Sequence, residues 1–184
     1  YAKNIHSLWL DKDNSLWLGL FLKGALHYIP HLNRTVDYNL LSEEVSSGFC
    51  IIEDKNDHVW YGGPSGLFLI DKKKANARPE KISPLRIFNL VQFNDSILWA
   101  GTRKGSMFQI NTRTLKVTSL PILPHTDLYV TYIYPDSHQR IWIGTDNNGL
   151  YVSDRNGSII ASYSKERLGS NAIKGIIEDE MNNI

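Results

Sequence analysis

Apolar residues in this chain come in short runs, each closed by a cluster of Asp, Asn, Lys, Ser or Gly. The stretches Ile5 to Asp11, Phe49 to Asp54, Leu90 to Phe93 and Tyr129 to Tyr134 are rich in β-branched and aromatic residues and read as strands. Polar turns such as Asp11-Lys12-Asp13-Asn14-Ser15 and Asp54-Lys55-Asn56-Asp57 follow. Their side chains bond their own backbone and tolerate the left-handed conformation, so they reverse the chain. A strand carrying tryptophan comes next, then a glycine-bearing loop, then a strand of the type Gly66-Leu67-Phe68-Leu69-Ile70-Asp71. In the fourth copy Asp154-Arg155-Asn156-Gly157 predicts a hairpin with both Asn156 and Gly157 at positive φ, leading to an outer strand over Ser158 to Tyr163. No stretch keeps a helical period beyond a turn or two.

The strands belong to a repeat. Four of the five tryptophans stand in one phrase: Leu16-Trp17-Leu18-Gly19, Val59-Trp60-Tyr61-Gly62, Leu98-Trp99-Ala100-Gly101 and Ile141-Trp142-Ile143-Gly144. Their spacings are 43, 39 and 43 residues. Asp11, Asp54 and Asp136 stand six residues before their tryptophans, whereas Asn94 stands five before Trp99. A second glycine (Gly24, Gly66, Gly105 or Gly149) follows each phrase. Short strands, a repeat of about 40–45 residues and four strands per repeat predict an all-β fold, a β-propeller segment of four-stranded antiparallel blades. The expected repeats are 4–47, 48–88, 89–128 and 129–171, with 172–184 opening a fifth. Ile176-Ile177-Glu178-Asp179 echoes Ile51-Ile52-Glu53-Asp54, so the period predicts a tryptophan one residue beyond Ile184 and a larger propeller. The residues Trp17, Gly19, Trp60, Gly62, Trp99, Gly101, Trp142 and Gly144 are read as scaffold. A flat indole fills the wedge between neighbouring blades, and the glycine lets the backbone bend or a neighbour approach closely.

These phrases resemble the two-component regulator propeller repeat, which runs Ile-x-x-Asp, a turn, Leu-Trp-Ile-Gly-Thr, then Gly-Gly-Leu and an aromatic. The likeness extends over nearly the whole chain. Ala100, the Gly105-Ser106-Met107 run and Leu20 depart from it. The resemblance implies the periplasmic sensor region of a hybrid two-component system, the extracytoplasmic part of an inner-membrane protein. It further implies a glycan-fragment ligand, a dimer, and relay to a downstream kinase. A propeller enzyme acting on polysaccharides, as a lyase or glycoside hydrolase, is the first alternative. A protein-interaction scaffold is the second.

Composition narrows the chemistry. The 184 residues are 42% hydrophobic and 21% charged, an ordinary globular profile, and the net charge is +1. So small a charge gives nucleic acid no field to find, and none is expected as a partner. No apolar run approaches the roughly 18 residues of a membrane span, and no signal peptide opens this stretch, so direct membrane contact is not expected of it. The single cysteine, Cys50, excludes an intrachain disulfide and reads as a small core residue. The run beginning at Asp11 looks like a calcium loop, but Leu16 and Leu22 stand where glycine and glutamate are needed. The six histidines are scattered. Neither a metal, a cofactor nor a catalytic group is expected. Lys72-Lys73-Lys74, with Arg78 and Lys81, reads as a solvated blade edge guarded against edge pairing.

Ligands of propellers usually lie on one face, where the loops between second and third strands open. Those loops hold Arg103, Lys104, Asp146 and Asn147, the expected ligand-binding residues. Arginine, asparagine and aspartate offer several donors or acceptors in fixed directions, which suits a hydroxyl-rich oligosaccharide. The expected partners are such a ligand, the remainder of the chain's own propeller, and a second copy through self-association.

Overall fold

A computed structural model describes residues 4–38, 47–103, 105–120, 123–124 and 128–184. Its strands form four antiparallel four-stranded sheets, each in chain order. The first holds β1 (Ile5–Leu10), β2 (Leu16–Leu20), β3 (Gly24–Ile29) and β4 (Arg34–Asp37). The second holds β5 (Cys50–Glu53), β6 (His58–Gly63), β7 (Gly66–Asp71) and β8 (Glu80–Ser83). The third holds β9 (Ile87–Asn94), β10 (Ile97–Thr102), β11 (Met107–Asn111) and β12 (Val117–Ser119). The fourth holds β13 (Val130–Pro135), β14 (Ile141–Thr145), β15 (Leu150–Ser153) and β16 (Ile159–Tyr163). Among the described residues helix is confined to α1 (Lys165–Leu168) and a 3₁₀ turn at Pro30–Leu32. The chain is an all-β propeller segment. It divides into two compact units, Tyr1–Ser96 and Ile97–Ile184.

One turn recurs through both units. Asp11 Oδ1 accepts the backbone N–H of Asp13 and of Ser15, both at 2.9 Å. Asp54 receives Asn56 and His58 in the same way, and Asp136 receives His138 and Arg140. The third residue after each aspartate (Asn14, Asp57 and Gln139) takes positive φ, between 56° and 68°. The second carboxylate oxygen accepts the indole N–H six residues on, at 3.0 Å for Trp17 and 2.8 Å for Trp60 and Trp142. One side chain thus closes the turn and fixes the rotation of the tryptophan. Asp179 repeats the turn, accepting Met181 and Asn183 N–H at 2.8 Å, with Asn182 at φ +62°.

Two sequence expectations need correction. The hairpin after β15 has only Gly157 at positive φ (+88°), not Asn156 as well. Asp154 draws the N–H groups of Asn156 and Ser158 onto its carboxylate, so this is the same aspartate turn and not a tight two-residue one. In the third sheet β9 runs on to Asn94, longer than the expected Leu90 to Phe93. Asn94 Oδ1 takes Ser96 N–H at 3.0 Å, which leaves only Asp95 and Ser96 for the turn.

The indoles are buried. Trp17, Trp60 and Trp99 have no exposed surface and Trp142 has 9%. Trp17 packs with Ala25 and Tyr38 of its own repeat and with Ile51, Val59, Tyr61, Phe68 and Ile70 of the second sheet. Trp142 packs with Leu150 and Val152, against Tyr163, Ile173 and Ile176. The glycine two residues after each tryptophan is where the next strand comes nearest. A Cβ on Gly62 would sit 2.6 Å from Ile87 Cγ2, one on Gly101 would sit 2.6 Å from Val130 Cγ1, and one on Gly144 would sit 2.7 Å from Ile173 Cγ2. At Gly19 the neighbour is the backbone of Gly48. Of the two roles expected for this glycine, close approach is the one it serves. Cys50 is buried beside Gly62, where burial pushes its thiol up to about 12.

Gly62→Ala must push Ile87 and Cys50 away and should cost about 1–3 kcal/mol in urea unfolding. Gly175→Ala, with no heavy atom within 4 Å of the new methyl, should stay within about 0.5 kcal/mol of the parent. Equal effects at the two sites would refute the close-approach role.

Candidate functional site

In the second unit the loop after β14 is wound tightly. The buried Thr145 hydroxyl donates to the Gly149 carbonyl at 2.8 Å and accepts the Asn148 N–H at 2.9 Å. Gly149 sits at φ +76°, which a side chain would strain. This winding turns Asp146 toward the residue that precedes β13. Its carboxylate accepts the Tyr129 N–H at 2.8 Å, and its own N–H donates to the Tyr129 carbonyl at 3.2 Å. Arg103, just past β10, pairs with Tyr129 as an isolated antiparallel bridge. Its guanidinium lies 5.1 Å from the Tyr129 ring centroid, within cation–π range.

Two expected ligand residues therefore meet on one tyrosine that the sequence reading passed over. Asn147 is exposed on the same loop, and Lys104 lies outside the described residues. A signal for Tyr129 does exist. Counting seven residues back from the turn aspartates gives Asn4, Ser47, Tyr129 and Ala172, so an aromatic stands there in one copy alone.

The loop's other flank opens on a cavity of about 310 Å³ lined by Asn148, Tyr151, Ser162, Tyr163, Ser164 and Asn171. Every lining side chain carries a hydroxyl or an amide, and none is charged. Tyr163 is held parallel to Trp142, with centroids 6.1 Å apart and planes at 10°, and Arg167 stands 5.3 Å from its ring. Asn171 is fixed by two hydrogen bonds, its side chain accepting Lys165 N–H at 2.7 Å and its carbonyl accepting Gly149 N–H at 2.8 Å. Such a cavity offers fixed donors and acceptors to a neutral, hydroxyl-rich ligand.

The first unit brings together Asp11, Asp13 and Glu53, a grouping with metal-ligand geometry. An ammonium stands at its centre. Lys72 Nζ lies 2.8 Å from a carboxylate oxygen of each. Its side chain is only 14% exposed, so the expectation of a solvated lysine edge holds for its exposed neighbours Lys73 and Lys74 and fails for Lys72. A partly buried cation surrounded by acids is stabilised where a solvated one would gain little. Burial pushes the Asp11 carboxyl upward, but hydrogen bonds from Lys72, Ser15 and Trp17 outweigh it and hold it well below the usual range. Burial likewise draws Lys72 down, and its three carboxylate partners more than reverse this. His27, stacked on Trp17 at 4.0 Å, is held below the usual imidazole range by burial.

Comparison with known proteins sharpens the picture. Residues 125–147 match the model of the family described as two component regulator propeller. That match falls on the fourth copy of the phrase, Ile141-Trp142-Ile143-Gly144. "Histidine kinase P4" of Formosa agariphila is 27% identical over 168 residues, and the match covers 80% of this chain but 12% of that protein. The extracellular domain assigned to the hybrid two component system BT4673 of B. thetaiotaomicron superposes with a TM-score of 0.81 at 22% identity, over all of this chain and 26% of that one. PorZ, a surface component of the type-IX secretion system of Porphyromonas gingivalis, superposes with a TM-score of 0.72 at 14% identity, over 92% of this chain and 28% of its own. At these identities the two structures establish the fold. This chain thus spans a small part of each of these three proteins. No described helix is long and apolar enough to cross a membrane.

Replacing Lys72 by methionine leaves three carboxylates facing one another and should cost about 3 kcal/mol at pH 7. Asp11 titrates in the folded chain below its ordinary value of 3.8, so its contribution is complete above about pH 5 and is lost as pH falls from there toward the lower folded value. In the methionine variant acid relieves repulsion instead. The stability gap between parent and variant, measured by urea unfolding, should therefore narrow toward pH 4. A gap independent of pH would show that the ammonium is not paired.

Proposed function

We propose that this chain is a periplasmic propeller segment of a hybrid two-component sensor, which binds a glycan fragment and relays that binding to a downstream kinase. The observation that carries the ligand class is the uncharged cavity of about 310 Å³, bounded by tyrosine, serine and asparagine side chains alone. Saccharide hydroxyls need several directed partners and an aromatic surface, and this cavity offers both. Asp146 and Asn147 extend the polar surface along the same loop, and Arg103 joins Asp146 at Tyr129. The kinase relative and the extracellular neighbour support the sensor setting, and the repeat supplies the scaffold. Group-transfer chemistry has no part in this reading. The segment senses.

The face of the first sheet away from Trp17 leaves Leu8 59% and Leu10 63% exposed. An apolar surface of this kind favours association, and we infer that the isolated segment pairs with a second copy through it.

Calorimetric titration with short neutral oligosaccharides should find a binder, and Asn148→Ala should weaken it about tenfold by removing a directed partner. Failure of every fragment to bind, or binding indifferent to Asn148→Ala, would sink the saccharide reading. Light scattering should show dimers that dissociate in the double variant Leu8→Gln, Leu10→Gln. A monomer at high concentration would refute the pairing.

A further inference from the structure

The first unit holds a larger cavity, of about 550 Å³, between the outer strands of the first sheet and the loop joining β7 to β8. Its lining differs in kind from that of the neutral pocket. Arg34 enters from β4, and Lys72, Lys74 and Arg78 enter from the β7–β8 connection, while no aspartate or glutamate among the described residues lines it. Val36 and Ala77 give it an apolar wall. The whole chain carries a net charge of only +1, so this concentration of cations is local.

We propose that this cavity binds a small organic anion bearing carboxylate or sulfate groups. The guanidiniums of Arg34 and Arg78 share one concavity, and its low-dielectric walls focus their field on an incoming anion. Lys72 is already engaged by Asp11, Asp13 and Glu53, and Lys74 stands 3.6 Å from Asp71. Arg34 and Arg78 have no carboxylate partner among the described residues. Their guanidiniums can meet an oxyanion through paired hydrogen bonds, which a lysine cannot do. Lys72 has a second part to play. By tying the start of the β7–β8 loop to the aspartate turn of the first sheet, it fastens one wall of the cavity to the other and organises the site before a ligand arrives. The volume suits a molecule larger than an inorganic ion, with the apolar wall covering its uncharged side. The cavity shares no lining residue with the neutral one of the second unit, and its ligand does not rest on the sensor reading.

Calorimetric titration of this chain at low salt with trigalacturonate, a sulfated disaccharide and sodium sulfate separates the possible sources of the anion. At least one of the two organic anions should bind more tightly than sulfate and weaken as salt is added. Arg34→Gln and Arg78→Gln should each reduce its affinity about tenfold. Both arginines are exposed, so the variants should melt with the parent. Lys116→Gln, an exposed lysine of the second unit, removes the same charge and should leave affinity unchanged. The proposal is overturned if neither organic anion binds, if sulfate binds as tightly as both, or if Lys116→Gln costs as much as the arginine variants.

Discussion

A carboxylate that accepts an indole N–H six residues downstream is the interaction on which this scaffold depends. Asp11, Asp54 and Asp136 each hold a turn with one oxygen and a tryptophan with the other. A buried indole needs a partner for its N–H, and a buried carboxylate needs donors; here each supplies what the other lacks. The arrangement also decides direction. With its N–H anchored at the turn, the ring is held where it packs against the next sheet, as Trp17 does with Val59, Tyr61 and Phe68. Arg140 makes the clasp at Asp136 more strongly charged, donating through Nε at 2.5 Å and lying 5.3 Å from the Trp142 ring. Burial pushes Asp136 upward, but its donors, Trp142 first, hold it below the usual carboxylate range.

Close approach completes what the clasp begins. Gly62, Gly101 and Gly144 leave room for Ile87, Val130 and Ile173, so β9, β13 and the segment at Ile173 each seat against the preceding sheet within their own unit. The fifth copy shows how little sequence this needs. Ile173 seats on Gly144 and Asp179 winds its turn without a paired strand between them. Position-specific needs, met once per repeat, thus leave most other positions free. That freedom is where the copies diverge and where binding surfaces arise, on loops carried by a rigid frame.

The two cavities illustrate the divergence. The neutral one grows from the Thr145–Gly149 loop and the edge strand β16, where tyrosines and amides replace charge. The basic one grows from the long β7–β8 connection, which reaches back to the first sheet because Lys72 finds Asp11 and Asp13 there, with Glu53 of its own sheet as the third carboxylate. A repeat defines the scaffold and leaves function to such local departures, which is why PorZ can share this fold within a secretion system.

Sequence alone determined the strands, their order within each repeat, the turn aspartates and the buried tryptophans, because each depends on spacings of a few residues that recur along the chain. It located the loop after β10 that bears Arg103 and the loop after β14 that bears Asp146 and Asn147 for the same reason. Tyr129 as the shared contact of Arg103 and Asp146, Lys72 as a paired cation 61 residues from Asp11, and the lining of both cavities were decided by tertiary structure. Partners brought together from distant copies leave no fixed interval in the chain. A lysine in a charged run looks the same whether water or three acids surround it, and only the packed sheets distinguish the two.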